Sequence, residues 1–324
     1  MFDIVGLGEL LIDFTPAGKS AQSNDLFECN PGGGVPNLVV AATMLGAKGA
    51  FIGKVGNDLF GRFLRETLNR KNVDTTGLIL TDEYMTTLAF VHLFENGERD
   101  FTFYRKTGAD TMLRADEISL EVIDQSKALH FSSLTFTTKI SADATLAAII
   151  YAKEKGKLIT YDPNWRPMLW ENQQACKQGM LSGLSYADIV KVSEEELEIL
   201  TNKFDENEGA NELLQNGSKL VLVTKGEKGS KYYCRNGNQY IPPFNVKAID
   251  TTGAGDAFFG AVISGILANE ININDIDLER LNNIIQFASA TAALSVTRRG
   301  GIPAMPNRTE VELFINAYVN EEGN

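Results

Sequence analysis

Within the 324-residue chain, the run Asp250-Thr251-Thr252-Gly253-Ala254-Gly255-Asp256 has the residue types and the spacing for phosphoryl chemistry. Gly253, Ala254 and Gly255 carry almost no side chain, so their amides can crowd around an anion. The apolar stretch from Ala257 to Leu267 reads as a helix whose positive end points at the same place. Asp256 stands one residue beyond those amides. There a carboxylate can take a proton from a hydroxyl while the amides hold the growing charge of a phosphoryl group. The same spacing also describes an Asp N-cap behind a Gly turn, and spacing alone leaves both readings open.

Other candidates are scattered along the chain. Asp13 follows an apolar run and must face water or a polar ligand. Gly32-Gly33-Gly34 allows close backbone approach by a small polar ligand, and Asn37 opens the helical stretch Leu38 to Leu45. Arg105 and Lys106 close a hairpin pattern, as ligand contacts or as a solvated pair. Arg166, in Asp162-Pro163-Asn164-Trp165-Arg166, can touch a ligand or brace a loop. Ser193-x-x-Glu196 is a capping box in text, and Thr224-Lys225-Gly226-x-x-Gly229 is either a ligand-side turn or an ordinary Gly-rich hairpin. Gly6-x-Gly8 lacks the third glycine of a dinucleotide fingerprint and reads as a bend in a strand whose apolar run continues through Glu9-Leu10-Leu11-Ile12; no G-x-x-x-x-G-K-[ST] occurs, so any ATP must bind without a Walker A loop. His92 and His130 sit inside apolar runs and read as core histidines. Cys29, Cys176 and Cys234 are odd in number and far apart, against a disulfide framework or a zinc site.

These residues need a frame that gathers them. From Lys127 onward strand and helix patterns alternate: Ala128 to Phe131, Ala142 to Lys155, Leu158 to Tyr161, Ile189 to Val192, Leu220 to Thr224. That predicts an α/β fold with a mainly parallel sheet covered on both faces, ligands gathering outside the carboxyl ends of its strands. A strand-like stretch from Gln239 to Ile249 leads into the Gly turn. Two alternating runs between Thr86 and Arg105 flank Glu95-Asn96-Gly97-Glu98, a hairpin-turn composition. This hairpin and part of 9–30 predict a small β-lid on one domain spanning 1–324, the lid being built from parts of 9–30 and 86–110. A net charge of −12 with 44% hydrophobic residues excludes nucleic acid and acidic membrane as natural partners. The short apolar runs and the absence of a basic leader lead us to expect a cytoplasmic protein.

Asp250 to Phe258, DTTGAGDAF, resembles the C-terminal signature of the ribokinase-like (PfkB) sugar kinases. The segments GELLIDFTP (8–16), FIGKVGNDLFGRFL (51–64), TTLAFV (86–91) and YRKTGADTML (104–113) follow in that family's order and are most similar to bacterial fructokinases. The resemblance implies a three-layer αβα fold and transfer of the γ-phosphate of ATP to the 6-hydroxyl of fructose, or, in a neighbouring branch, to 2-keto-3-deoxygluconate. It implies Asp256 as base and the amides of Gly253, Ala254 and Gly255 as anion hole. Asp13, Gly33, Asn37, Arg105 and Arg166 would contact the sugar. Lys191, Glu196, Thr224, Gly226, Gly229 and Ser289 would stand on the nucleotide side, with Glu196 in a magnesium network although Ser193 replaces the family's Asn. Asp250, Thr252, Ser295, Arg298 and Gly300 match a monovalent-cation loop, expected to hold potassium. Association of two copies through the lid edge is a further expectation. The rivals from other classes are an NAD(P)-binding oxidoreductase built on Gly6-x-Gly8 and a non-catalytic sugar-binding regulator.

Overall fold

A computed structural model describes residues 1–93 and 99–322, with side chains at 1–91 and 102–320. The chain opens with β1 (Phe2–Leu7), β2 (Leu11–Lys19), β3 (Asp25–Gly32) and α1 (Gly34–Met44). It continues through β4 (Gly49–Gly56), α2 (Leu59–Arg70), β5 (Asp74–Thr81), β6 (Leu88–Leu93) and β7 (Arg99–Tyr104). Then α3 (Leu120–Asp124), β8 (Ser126–Ser132), α4 (Lys139–Glu154), β9 (Leu158–Asp162), α5 (Gln173–Leu184) and β10 (Ile189–Ser193) alternate. The last third holds α6 (Glu194–Thr201), α7 (Glu206–Gln215), β11 (Leu220–Thr224), β12 (Ser230–Cys234), β13 (Gly237–Ile241), α8 (Ala254–Ala268), α9 (Leu278–Ser295) and α10 (Arg308–Glu322).

A nine-stranded sheet runs in the order β13-β12-β11-β10-β9-β8-β1-β4-β5. From β11 to β5 every pair is parallel, and β12 and β13 are added antiparallel. Alternate residues of one strand feed two different cores. Ile4, Leu220 and Leu222 pack with α1, α8 and α9, whereas Val5, Leu7, Val221 and Val223 pack with α4, α5 and α6. A strand buried on both faces must be apolar at nearly every position, which is why these strands read as continuous apolar runs. The chain leaves β1 toward β4 on one side and returns through β8 on the other. A topological switch point therefore lies beside the end of β1, where a crevice forms.

A second sheet, order β3-β2-β6-β7, stands over that crevice. Phe14 of β2 stacks on Phe90 of β6 at 4.8 Å and meets Phe60 of α2 edge-on at 5.7 Å, fastening the small sheet to the large unit. The expected hairpin turn at 95–98 lies outside the described residues, as does the side chain of His92. His130 is buried in the core, edge-on to Phe259, and burial pushes its imidazole down to about 3, so it is neutral.

Two expectations need correction. The strand expected over 239–249 ends at Ile241, because Pro242 and Pro243 have no N–H to extend a ladder. The run after Gly8 does not continue β1: the chain breaks there, and Leu11 opens a strand of the other sheet. Among the described residues no helix is long and apolar enough to cross a membrane.

Candidate active site

The turn before α8 is tied on both sides. Asp250 Oδ1 accepts from the Thr252 amide at 2.9 Å and from Thr252 Oγ1 at 2.7 Å, while Oδ2 accepts from the Gly300 amide at 3.0 Å. The amides of Ile249 and Asp250 both donate to the Val296 carbonyl. Gly253 has φ 76°, a left-handed conformation that a side chain disfavours. The helix therefore starts at Ala254 with no side-chain cap. The Ala254 amide closes the turn onto the Thr251 carbonyl at 3.3 Å, and those of Gly255 and Asp256 meet no acceptor among the described residues. This is a ready anion site. It differs from expectation in that the Asp256 amide joins it and the Ala254 amide is partly engaged.

Asp256 is not an N-cap. It lies in the first turn of α8, where Oδ2 accepts from Asn37 Nδ2 at 2.9 Å. Burial, reinforced by the nearby Asp162 carboxylate, pushes its carboxyl up to about 7 against the pull of Lys191, Asn37 and Arg166. Lys191 projects from β10 and pairs with Asp162, at the end of β9, at 2.7 Å. Burial would lower the ammonium, but the carboxylates of Asp162, Glu196 and Asp256 outweigh it and raise it to about 12. A methyl group on Gly255 would sit 3.2 Å from Lys191 Nζ, so the ammonium stands beside the open amides.

Two cavities share this turn. One of about 240 Å³ is lined by Asp13, Gly33, Asn37, Arg105, Arg166, Gly253 and Asp256, among others, and so gathers all five residues expected to contact a sugar. The other, about 500 Å³, is lined by Thr224, Gly226, Gly229, Gly255 and Ser289 with apolar walls from Phe244, Phe258 and Ala292. Lys191 and Glu196, also expected on that side, are not among its lining residues. A larger open depression, about 1060 Å³, lies at the amino ends of β4 and β5 and holds none of these residues.

Glu196 has a definite task in the fold. Oε2 accepts from the Ser193 amide at 2.8 Å and completes the capping box, and Oε1 accepts from the Trp165 amide at 2.7 Å. The carboxylate so holds the 162–166 loop that carries Asp162 and Arg166. Among the described residues no group of three or more His, Cys, Asp or Glu is placed to cage an ion. Asp162 and Glu196 are the carboxylates that would serve a divalent ion on the nucleotide side, oxygen donors that suit a hard cation. Of the monovalent-cation residues, Ser295 Oγ donates to the Ala292 carbonyl, and the Arg298 guanidinium pairs with Glu310 at 2.6 Å, which leaves Arg298 only its backbone oxygen for a cation.

Sequence reasoning missed Glu9 and Asn164. Glu9 is 2% exposed and accepts from the Gly34 amide at 2.7 Å, fixing the glycine loop against the small cavity. Burial raises its carboxyl. Its signal was an acid between Gly8 and an apolar run. Asn164 is buried with φ 47°, its amide donating to Asp162 Oδ1 at 3.0 Å. Asp13, across the cavity, is pushed up to about 7 by burial, with Arg166 opposing and Glu9 and Asp250 adding to the rise.

This architecture is that of the solved ribokinase-like sugar kinases. A fructokinase with bound ATP from Xylella fastidiosa superposes with a TM-score of 0.89 at 34% identity, covering 97% of this chain and 98% of that one. A double-mutant fructokinase from Vibrio cholerae, in a form with bound fructose, ADP and potassium ion, gives 0.87 at 33% identity, over 97% and 98% of the two chains. A probable fructokinase-2 of Arabidopsis thaliana is 40% identical over 319 residues, 98% of this chain and 96% of its own length. Residues 1–308 match the family described as pfkB family carbohydrate kinase, and the chain belongs to it.

Proposed function

We propose that the chain transfers the γ-phosphate of ATP to the 6-hydroxyl of D-fructose. One observation carries the reading. The 240 Å³ and 500 Å³ cavities meet at a single turn, with Gly253 and Asp256 facing one, Gly255 facing the other, and Thr251 lining both. A nucleotide laid along the apolar cavity brings its terminal phosphate to the open amides, and a sugar in the polar cavity brings a hydroxyl to Asp256.

Asp256 accepts the hydroxyl proton as the phosphoryl group arrives, and a carboxyl titrating at about 7 is matched to that task. The Gly255 and Asp256 amides and the Lys191 ammonium receive the charge on the transferred group, so the work is positioning and electrostatics. Asp13 binds sugar hydroxyls and Asn37 orients the base. Magnesium, when bound, neutralises nucleotide phosphate oxygens. The 250–252 and 295–300 segments would hold a potassium ion, which would keep the turn ordered, a reading in line with the potassium ion of the Vibrio protein. The four-stranded sheet, which contributes Leu11, Asp13 and Phe103 to the cavity wall, acts as a lid that excludes water as a competing acceptor. Its outer strand β3 exposes Leu26 and Phe27, an edge suited to pairing with a second copy.

The test is ADP release over fructose, ribose, glucose, mannose, adenosine and 2-keto-3-deoxygluconate. Fructose should give the highest kcat/KM. A higher value for another sugar retains a kinase and removes this substrate; nucleotide turnover that no sugar stimulates removes both.

A further inference from the structure

Arg105 faces the sugar cavity, yet its guanidinium is spent inside the protein. Nε donates to Asp110 Oδ2 at 2.7 Å, and NH2 lies 2.7 Å from the same oxygen. NH1 donates to Thr137 Oγ1 at 2.8 Å and NH2 to the Leu134 carbonyl at 3.0 Å. Both forked edges of the guanidinium are therefore taken, and no bidentate edge is left for a ligand carboxylate. The charge is cancelled as well as the geometry. The Asp110 side chain is 1% exposed, and its other oxygen accepts from Thr87 Oγ1. Thr87 reaches it because residue 108 is glycine: any side chain there would run into Thr87 Oγ1. The cavity is otherwise bordered by the carboxyl groups of Glu9, Asp13 and Asp256, with Arg166 as the remaining cation in its wall.

Resting on the reading of this cavity as the sugar site, we infer that the Arg105–Asp110 pair is a specificity device: it presents Arg105 to the sugar as a neutral wall, so the enzyme takes an uncharged ketose and rejects the corresponding sugar acid. Asp110 lies behind the cavity surface that Arg105 lines, so it acts through Arg105 and is a positioning residue. A cavity rimmed by three carboxyl groups gains nothing from an anionic ligand unless an uncompensated cation meets it, and the charge of Arg166 already acts on Asp13 and Asp256, whose carboxyls it holds down.

The probe pair is fructose and 2-keto-D-gluconate, which differ only in a carboxylate at C1. Asp110→Asn keeps the shape: its amide oxygen accepts from Arg105 and its NH2 donates to Thr87. It also leaves Arg105 a net cation. Wild-type enzyme should show kcat/KM for the acid at least about tenfold below fructose, and Asp110→Asn should raise the acid-to-fructose ratio about tenfold or more. A structural role alone would lower both substrates together and leave the ratio where it was. A ratio unchanged within about twofold in a folded variant overturns the inference. If the variant does not fold, competitive inhibition of the wild type decides: the acid binding as tightly as fructose overturns it. Should the wild type turn out to use another neutral sugar, the proposed substrate fails, while the shift toward the acid in Asp110→Asn still tests the device.

Discussion

Replacing Asp256 by Asn separates the catalytic cost of a base from the folding cost of a buried charge. The amide can still accept from Asn37, and Lys191 keeps Asp162 as its partner. Removing a general base costs on the order of 10²–10⁴ in kcat. Stability moves the other way. The carboxyl sits at about 7 in the fold against an ordinary 3.8. A carboxyl raised on folding leaves stability intact below the lower value, and that stability is lost as pH climbs through the upper one. At about 1.4 kcal/mol per pH unit, the charged form costs the wild type about 4 kcal/mol near pH 8. The amide cannot ionise and pays nothing.

Asp256→Asn should therefore raise the Tm of the ligand-free protein by several degrees at about pH 8, at about 2 °C per kcal/mol for a chain of this size, and by almost nothing at about pH 4. Thermal unfolding by circular dichroism at both pH values, beside steady-state kinetics, reads the two effects on one sample. An equal Tm change at both pH values would refute the buried-charge argument, and near-normal kcat in a folded variant would remove Asp256 from the mechanism.

In the wild type, kcat/KM for fructose should fall as pH drops through about 7, where Asp13 and Asp256 both take up protons; a flat profile from about pH 6 to 8 contradicts this assignment. Asn37→Ala removes a hydrogen bond that holds the Asp256 carboxyl down, so the acid limb should move upward by about one pH unit; an unmoved limb places Asn37 elsewhere. Asp13→Asn should raise the fructose KM about tenfold or more and leave ADP affinity, measured by calorimetry, near wild type. Lys191→Met strands Asp162 in the core and should cost about 3–5 kcal/mol in urea unfolding. Potassium should activate; equal rates in potassium and in a bulky organic-cation buffer would argue against the 250–252 and 295–300 loops as its site.

The parallel sheet was legible because periodicity is local. Ile4, Val5 and Leu7 must satisfy two cores at once, and the same pressure shapes β8 to β11. What stayed hidden depends on which strand ends the topology brings together. Nothing in the spacing says that Lys191 of one strand will neutralise Asp162 of the next, or that Glu9 will hold the Gly34 amide 25 residues on. Arg105 and Asp110 stand only 5 apart, yet Asp110 is held for the pairing by Thr87, whose close approach depends on the missing side chain of Gly108, and a reading by residue type does not weigh that.

Glu196 makes the more general point. As sequence, Ser193-x-x-Glu196 is a capping box, and the family resemblance makes Glu196 a ligand-side carboxylate. In the fold one oxygen completes the box and the other takes the Trp165 amide. By doing so it sets the loop from which Asp162 tunes Lys191 and raises Asp256. Thr224 to Gly229 behaves alike, as the turn of an antiparallel hairpin and as a wall of the 500 Å³ cavity. Backbone amides at strand and helix ends must be satisfied wherever they are buried, and in an α/β sheet those ends are also where ligands sit. A structural explanation for a polar residue there does not count against a functional one. It identifies the means by which the site is held still.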